Sequence, residues 1–154
     1  MSSPVDIMIQ NRHLQTEAAF AAYGQSLKKL KEAPQDPTLL PRLISVFCDV
    51  EDFDVYWMLF HYVESFPRED YVPALIEATP QLLLDGQEWL RRLYIRVLNA
   101  DSYRASLKTH LSEATPEQRE AVHAILEQIP VYVGDDLREN FAEKVAFVLA
   151  DLPL

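Results

Sequence analysis

The fold is decided by the stretch DVEDFDVYWMLFHYVESFP, residues 49–67. Its second half places apolar side chains on almost every face of a helix-length segment, and a helix that is hydrophobic all round needs neighbours on most sides. We therefore predict that a helix over 53–65 is the centre of the fold, ended by Pro67 because the residue before a proline disfavours helical angles. Four carboxylates predict an acidic entrance to this helix: Asp49, Glu51, Asp52 and Asp54.

The segments on either side of this stretch also show helical spacing, punctuated by ten prolines and only three glycines. A first helix is predicted over 14–31, and further helices begin near residues 37, 54, 70, 87, 102, 116 and 135. Thr79 and Pro80 are predicted to restart the chain within this series. Residues 1–154 are thus predicted to form one all-α domain, with seven to eight helices in stacked antiparallel hairpins that make a short HEAT-like solenoid.

The composition is that of a globular, strongly acidic protein. Hydrophobic residues make up 49% of the 154 residues, and the formal net charge is −10. Such a field repels nucleic acid and anionic membranes and attracts basic proteins, so we expect a protein partner. The single cysteine excludes an internal disulfide, and we recognise neither a signal peptide nor a membrane-spanning run. These features predict a cytoplasmic protein.

The titratable side chains do not follow a catalytic or metal-binding pattern. A di-metal bundle needs two Glu-x-x-His motifs, but Glu120 and His123 supply one copy while His61 and Glu64 run in the reverse order. The carboxylates of the acidic entrance lack the glycine and the closing glutamate of a calcium loop. Phosphate-binding loops and nucleophile elbows are also missing from the sequence. We predict no enzyme activity, no cofactor and no metal.

Two groups of polar side chains have more than one interpretation. His61 and Glu64 lie in the most apolar helix, where they either link it to the next helix or contact a ligand at the edge of a groove. Arg91, Arg92 and Arg96 cluster on one predicted helix, where they form ion pairs with neighbouring acidic helices or bind an anion. The sequence leaves both choices open.

A family resemblance is carried by FHYVESFP at 60–67, Tyr71, Ala74, Leu75 and EWLRRLYIRVLN at 88–99. With these segments the chain resembles the Immunity protein 30 family of bacterial polymorphic toxin systems, over about residues 39–129. The chain departs from the family pattern mildly, with Val97 in place of an isoleucine and Gly86-Gln87 in place of alanine-proline. The resemblance implies an all-α protein that binds and neutralises a cognate toxin domain and has no catalysis of its own.

Under this resemblance, the chain is predicted to bind one toxin domain and to block its active site or its access to substrate. The acidic residues would steer the encounter with the toxin. The alternative function is a helical-repeat adaptor that binds proteins without neutralising a toxin. The predicted docking carboxylates are Asp49, Glu51, Asp52, Asp54, Glu69 and Asp70.

Overall fold

A computed structural model describes residues 2–49 and 53–153 of the chain. Within these residues it contains nine α-helices and no strand, which confirms the all-α prediction. A 3-10 turn, Pro37–Leu39, precedes the third helix. The helices are α1 Pro4–Gln10, α2 Glu17–Glu32, α3 Leu40–Ile44, α4 Phe53–Glu64, α5 Arg68–Asp85, α6 Gln87–Asn99, α7 Asp101–Ser112, α8 Pro116–Tyr132 and α9 Asp135–Leu149.

The number of helices among the described residues, nine, is larger than the predicted seven to eight because the N-terminal segment forms α1. A capping box starts this helix: the Ser3 hydroxyl accepts a hydrogen bond from the Asp6 amide, and the Asp6 carboxylate accepts one from the Ser3 amide, both at 3.2 Å. The buried side chains of Val5 and Met8 then join the hydrophobic core. Helix α1 packs mainly against α2, and the two form the first helical pair.

Helix α5, and not α4, is the centre of the fold. It packs against α3, α6, α7 and α8, and it buries residues around most of its circumference. Helix α4 has the predicted position, but Trp57 and Met58 are 38% and 47% exposed on its outer face. The prediction of a central helix over 53–65 was therefore wrong. Its apolar side chains cover every face, yet neighbouring helices cover only part of them.

The predicted restart at Thr79 and Pro80 was also wrong, since α5 runs unbroken through both residues. The buried Thr79 hydroxyl donates to the Leu75 carbonyl at 2.7 Å and lies 2.6 Å from the Tyr94 hydroxyl of α6. Pro80 removes one helical donor, which by itself favours a kink or a break. Packing against the surrounding helices keeps this turn helical.

Gly86 joins α5 to α6 at a point where a side chain would be crowded. A Cβ there would lie 2.8 Å from the Leu82 Cδ2 atom and 3.1 Å from the Phe47 carbonyl oxygen. We expect Gly86→Ala to lower the free energy of unfolding by about 1–2 kcal/mol, because the Leu82 side chain and the Phe47 carbonyl must both shift. Gly24→Ala is the matched control: it lies inside α2 with no atom within 4 Å and should raise stability by about 0.5–1 kcal/mol. Urea denaturation measures both, and equal effects of the two changes would contradict the prediction.

None of the helices in the described part of the chain has the length and apolar character needed to cross a membrane. Side-chain caps are present at the starts of α1, α2 and α8. At the start of α8, Thr115 and Gln118 form a second capping box with two bonds of 3.2 Å. At the start of α2, the Thr16 hydroxyl accepts from the Ala19 amide at 3.0 Å.

Candidate protein-binding surface

Two carboxylates of the acidic entrance to α4, Asp49 and Asp54, belong to the described residues, and both lie on the surface. Asp49 is exposed, and its carboxylate accepts a hydrogen bond from the Glu88 amide in the first turn of α6 at 3.1 Å. The Asp49 amide donates to the Asp85 carbonyl at 2.8 Å, which holds the entrance against the end of α5. Asp54 is exposed in the first turn of α4.

Among the described residues, Glu69 and Asp70 do not join this entrance in one patch. Glu51 and Asp52 lie outside the described residues. Glu69 and Asp70 begin α5, beyond the opposite end of α4, whose twelve residues rise about 18 Å. The hydrogen bond from Arg68, at 2.6 Å, holds the pKa of Glu69 below its ordinary value. The acidic groups therefore stand at both ends of α4.

An exposed stripe of large side chains runs between these ends. Trp57, Met58 and His61 lie on the outer face of α4, in line with Asp54 at helical spacings of three, four and seven residues. The His61 ring stacks on the Trp57 ring with their centroids 6.0 Å apart. We call these three residues the α4 stripe. It brings an apolar and aromatic surface to solvent where sequence analysis predicted a buried helix.

Buried rings hold the exposed indole of Trp57 in place. Its ring meets the edge of Trp89 at 5.2 Å and that of Phe60 at 4.9 Å. Trp89 is fully buried and stacks in turn on Phe47 at 5.4 Å. Aromatic pairs at these separations add to the stability that burial provides. Trp57 is thus a rigid feature of the surface.

Two arginines of α6 border the stripe. The Arg92 guanidinium lies 4.6 Å from the Trp89 ring centroid and 5.7 Å from that of Trp57. The Arg96 guanidinium lies 5.6 Å from the Phe60 ring, and its Nε donates to the Glu64 carboxylate at 2.7 Å. This hydrogen bond raises the pKa of Arg96. The link made by Glu64 therefore runs to α6 and not to the next helix, α5, which was one of the two roles considered for Glu64 from the sequence.

The third arginine extends the surface to the end of α8. Arg91 and Arg92 both pair with Glu88 of the same helix, at 2.9 and 3.0 Å, so of the three arginines it is Arg96, paired with Glu64, that forms an ion pair with a neighbouring helix. Tyr132, 40% exposed, donates to the Glu88 carboxylate at 2.7 Å, which holds the pKa of Glu88 below its ordinary value. The Arg91 guanidinium lies 4.7 Å from the Tyr132 ring. These contacts fix Tyr132 beside α6.

Together these side chains form one surface across α4, α6 and the end of α8. Tryptophan, tyrosine, methionine and arginine are the residue types enriched where proteins bind one another. The sequence contains a signal for the exposed face of α4, because polar residues recur there at helical spacing. They are Asp54, His61 and Ser65, at i, i+7 and i+11. We call this the aromatic–arginine surface, formed by Trp57, Met58, His61, Arg92, Arg96 and Tyr132.

Other chemistry has little support in the described part of the chain. Among residues 2–49 and 53–153, no three His, Cys, Asp or Glu side chains lie close enough together to hold a metal ion. Cys48 is buried, and its sulfur lies 2.9 Å from the Tyr56 hydroxyl. Burial raises the pKa of the Cys48 thiol, which disfavours the reactive thiolate. This cysteine is a core residue.

The fold is that of a small all-α domain, and the aromatic–arginine surface is its candidate site for binding another protein. A family model described as Immunity protein 30 matches residues 10–107, more than half of the chain, and the chain belongs to this family. This match confirms the resemblance seen in the sequence. The family consists of toxin inhibitors that are not enzymes. Searches of curated proteins and of solved structures give no match. The matched span contains the α4 stripe and the arginines of α6.

Proposed function

We propose that this chain is an immunity protein that binds its cognate toxin domain one-to-one and blocks the toxin's active site or its access to substrate. Membership of the immunity family implies a toxin partner. The observation that carries the placement of the interface is the exposed α4 stripe with Arg92 and Arg96 beside it, all within the family span. These are the side chains that a partner would cover.

The rigidity of this surface favours tight binding. Association has to overcome the loss of side-chain freedom at an interface, which is smaller for side chains that are already held. Trp57 rests on Trp89 and Phe60, and Arg96 is tied to Glu64 before any partner arrives. A toxin therefore meets groups that need little further ordering.

Charge favours a basic partner. Glu64 and Glu88 offset most of the charge of the three arginines with which they pair, whereas carboxylates flank both ends of α4. With a net charge of −10, the chain attracts a basic toxin surface over long range. We propose that the steering carboxylates are those predicted from the sequence: Asp49, Glu51, Asp52, Asp54, Glu69 and Asp70.

We also infer that the helices stack as antiparallel hairpins in a short HEAT-like solenoid. The contacts between consecutive helices support this arrangement, since α5 packs on α6, α6 on α7 and α8 on α9. Contacts between alternate helices add a second level, with α5 on α7, α6 on α8 and α7 on α9. Stacked helices of this kind offer a partner an extended surface.

We expect an immunity gene to lie directly downstream of its toxin gene, and co-expression with the toxin domain encoded there tests the proposal. We expect the chain to restore growth, and the purified pair to elute as a single complex of one-to-one mass in size-exclusion chromatography with light scattering. An inactive toxin variant provides the control for expression. Growth arrest in the presence of folded chain would contradict neutralisation. Binding to other proteins, without rescue, would favour the adaptor.

Removing charge from the acidic entrance should slow the encounter with the toxin. Asp49→Asn with Asp54→Asn is expected to lower the association rate several-fold and to weaken its salt dependence, because both steering charges are lost. Asparagine can still cap α6, so the fold is kept. Biolayer interferometry at two salt concentrations measures the effect. Glu120→Gln with Glu139→Gln, two exposed carboxylates outside the surface, is the control. If both double variants slowed association by the same factor, net charge and not the position of the carboxylates would determine the association rate.

A further inference from the structure

A cavity of about 320 Å³ lies beside the aromatic–arginine surface, where α4, α5, α6 and α7 meet. It is at the lower end of the size of ligand pockets, so it suits one side chain better than a large ligand. Arg96 and Glu64 line it and also border the α4 stripe. Its principal lining residues are Glu64, Tyr71, Arg96, Asn99, Ala100 and Tyr103.

Tyr71 lines the cavity, and its hydroxyl has unused hydrogen-bonding capacity. The Tyr71 side chain is 1% exposed, and its hydroxyl has no hydrogen-bond partner among the residues that the structure describes. A buried hydroxyl without a partner is unfavourable, because it has lost its bonds to water. Burial raises the pKa of Tyr71 well above its ordinary value, and the Glu64 charge adds to this shift. The hydroxyl therefore stays protonated and can both donate and accept.

Other polar groups around the cavity also have hydrogen-bonding capacity left. Arg96 bonds Glu64 through Nε, and within the described residues its two terminal nitrogens make no hydrogen bond. Asn99 accepts from the Lys144 ammonium at 2.7 Å through its oxygen, which leaves the amide nitrogen to donate. Donors and acceptors thus stand around one small space.

The charges around the cavity favour an uncharged occupant. Glu64 and Arg96 form an ion pair and neutralise each other's charge. A cation would be attracted by the carboxylate but repelled by the guanidinium, and an anion would be attracted by the guanidinium but repelled by the carboxylate. A neutral group that both donates and accepts can use the carboxylate, the guanidinium and the Tyr71 hydroxyl together. A side-chain amide has these properties.

We propose that the cavity is a socket for an uncharged side-chain amide of the toxin, an asparagine or glutamine that enters when the toxin covers the aromatic–arginine surface. This inference rests on the proposed function, because the occupant belongs to the toxin. Insertion would supply the Tyr71 hydroxyl with its missing partner. It would also make this edge of the interface specific for one kind of residue, since a site built for hydrogen bonds rejects groups that cannot form them.

Affinity measurements on two cavity variants test the socket. Tyr71→Phe should weaken binding of the purified cognate toxin domain about 2- to 10-fold, the usual effect of one hydrogen bond. Ala100→Phe should weaken it more than 10-fold, because the ring fills the space. Tyr94→Phe is the matched control, since its buried hydroxyl bonds Thr79 and does not line the cavity. Its affinity should equal that of the wild type, and thermal melting verifies the fold of each variant.

The charge of the occupant is tested by Glu64→Gln and Arg96→Gln. For an uncharged amide, both changes should weaken binding by similar factors. Opposite effects, with one variant binding more tightly than the wild type, would overturn the uncharged occupant. Wild-type affinity in both Tyr71→Phe and Ala100→Phe would overturn the socket and leave the proposed function standing. Absence of binding by the wild-type chain would instead overturn the proposed function.

Discussion

Trp57→Ala should abolish protection against the toxin while the chain stays folded. Trp57 is the largest exposed side chain of the aromatic–arginine surface, and the rings of Phe60 and Trp89 hold it in one position. Truncation of a central tryptophan in an interface costs about 2–4 kcal/mol of binding free energy, which raises Kd about 30- to 1000-fold. Isothermal titration with the toxin domain measures the loss, and growth in co-expression reports it in the cell.

The control for Trp57→Ala is Phe147→Ala on α9. Phe147 is 48% exposed and has a cationic neighbour, the Lys108 ammonium at 5.3 Å, but it lies outside the proposed interface. Its replacement should leave the affinity unchanged. If the two variants lost affinity equally, or if Trp57→Ala bound the toxin as tightly as the wild type, the interface would have to lie elsewhere. A melting curve for each variant separates loss of binding from loss of fold.

The largest effect on stability is expected from Arg12→Ala, at about 3 kcal/mol of unfolding free energy. The Arg12 side chain is 12% exposed, and its guanidinium donates to both Asp85 oxygens at 2.5 and 3.1 Å. It also donates to the backbone carbonyls of Val46, at 3.1 Å, and Phe47. Its removal leaves one carboxylate and two carbonyls without their donor, and such groups are costly when they are screened from water.

Two further variants separate the parts of this effect. Arg12→Lys keeps the charge but cannot reach all the acceptors with one planar group, so it should recover less than half of the loss. Arg138→Ala removes an arginine from an exposed ion pair with Asp135 and should change stability by less than about 0.5 kcal/mol. Urea denaturation provides the comparison. If Arg12→Ala and Arg138→Ala had similar free energies of unfolding, the contacts of Arg12 with Asp85 and with the two backbone carbonyls would not contribute to the stability of the fold.

Local signals in the sequence predicted most of the helices correctly. The helix predicted to begin near residue 116 is α8, and the structure has a capping box at its start. The helix predicted to begin near residue 87 is α6, and the residues of its inward face are buried. These predictions succeeded because caps and helical periodicity involve residues only three or four positions apart.

The role of α4 could not be predicted in the same way. An all-round apolar helix indicates that burial is favourable, but it does not indicate which faces have neighbours. The structure covers Tyr56 and Phe60 and leaves Met58 in solvent, because the adjoining helices approach from other sides. Pro80 shows the same limit, since packing against α5 outweighs the local preference of a proline to end a helix.

The sequence by itself determined the helical class, most helix boundaries, the acidic character of the chain and its family. All of these depend on composition or on patterns within a few residues. Only the tertiary structure decided that α5 is central, that the α4 stripe is exposed and that Asp54 and Glu69 stand at opposite ends of α4. It alone brought Glu64 to Arg96 and both to the cavity at Tyr71. The physical reason is that these features depend on contacts between residues far apart in the chain, which form only when whole helices pack together.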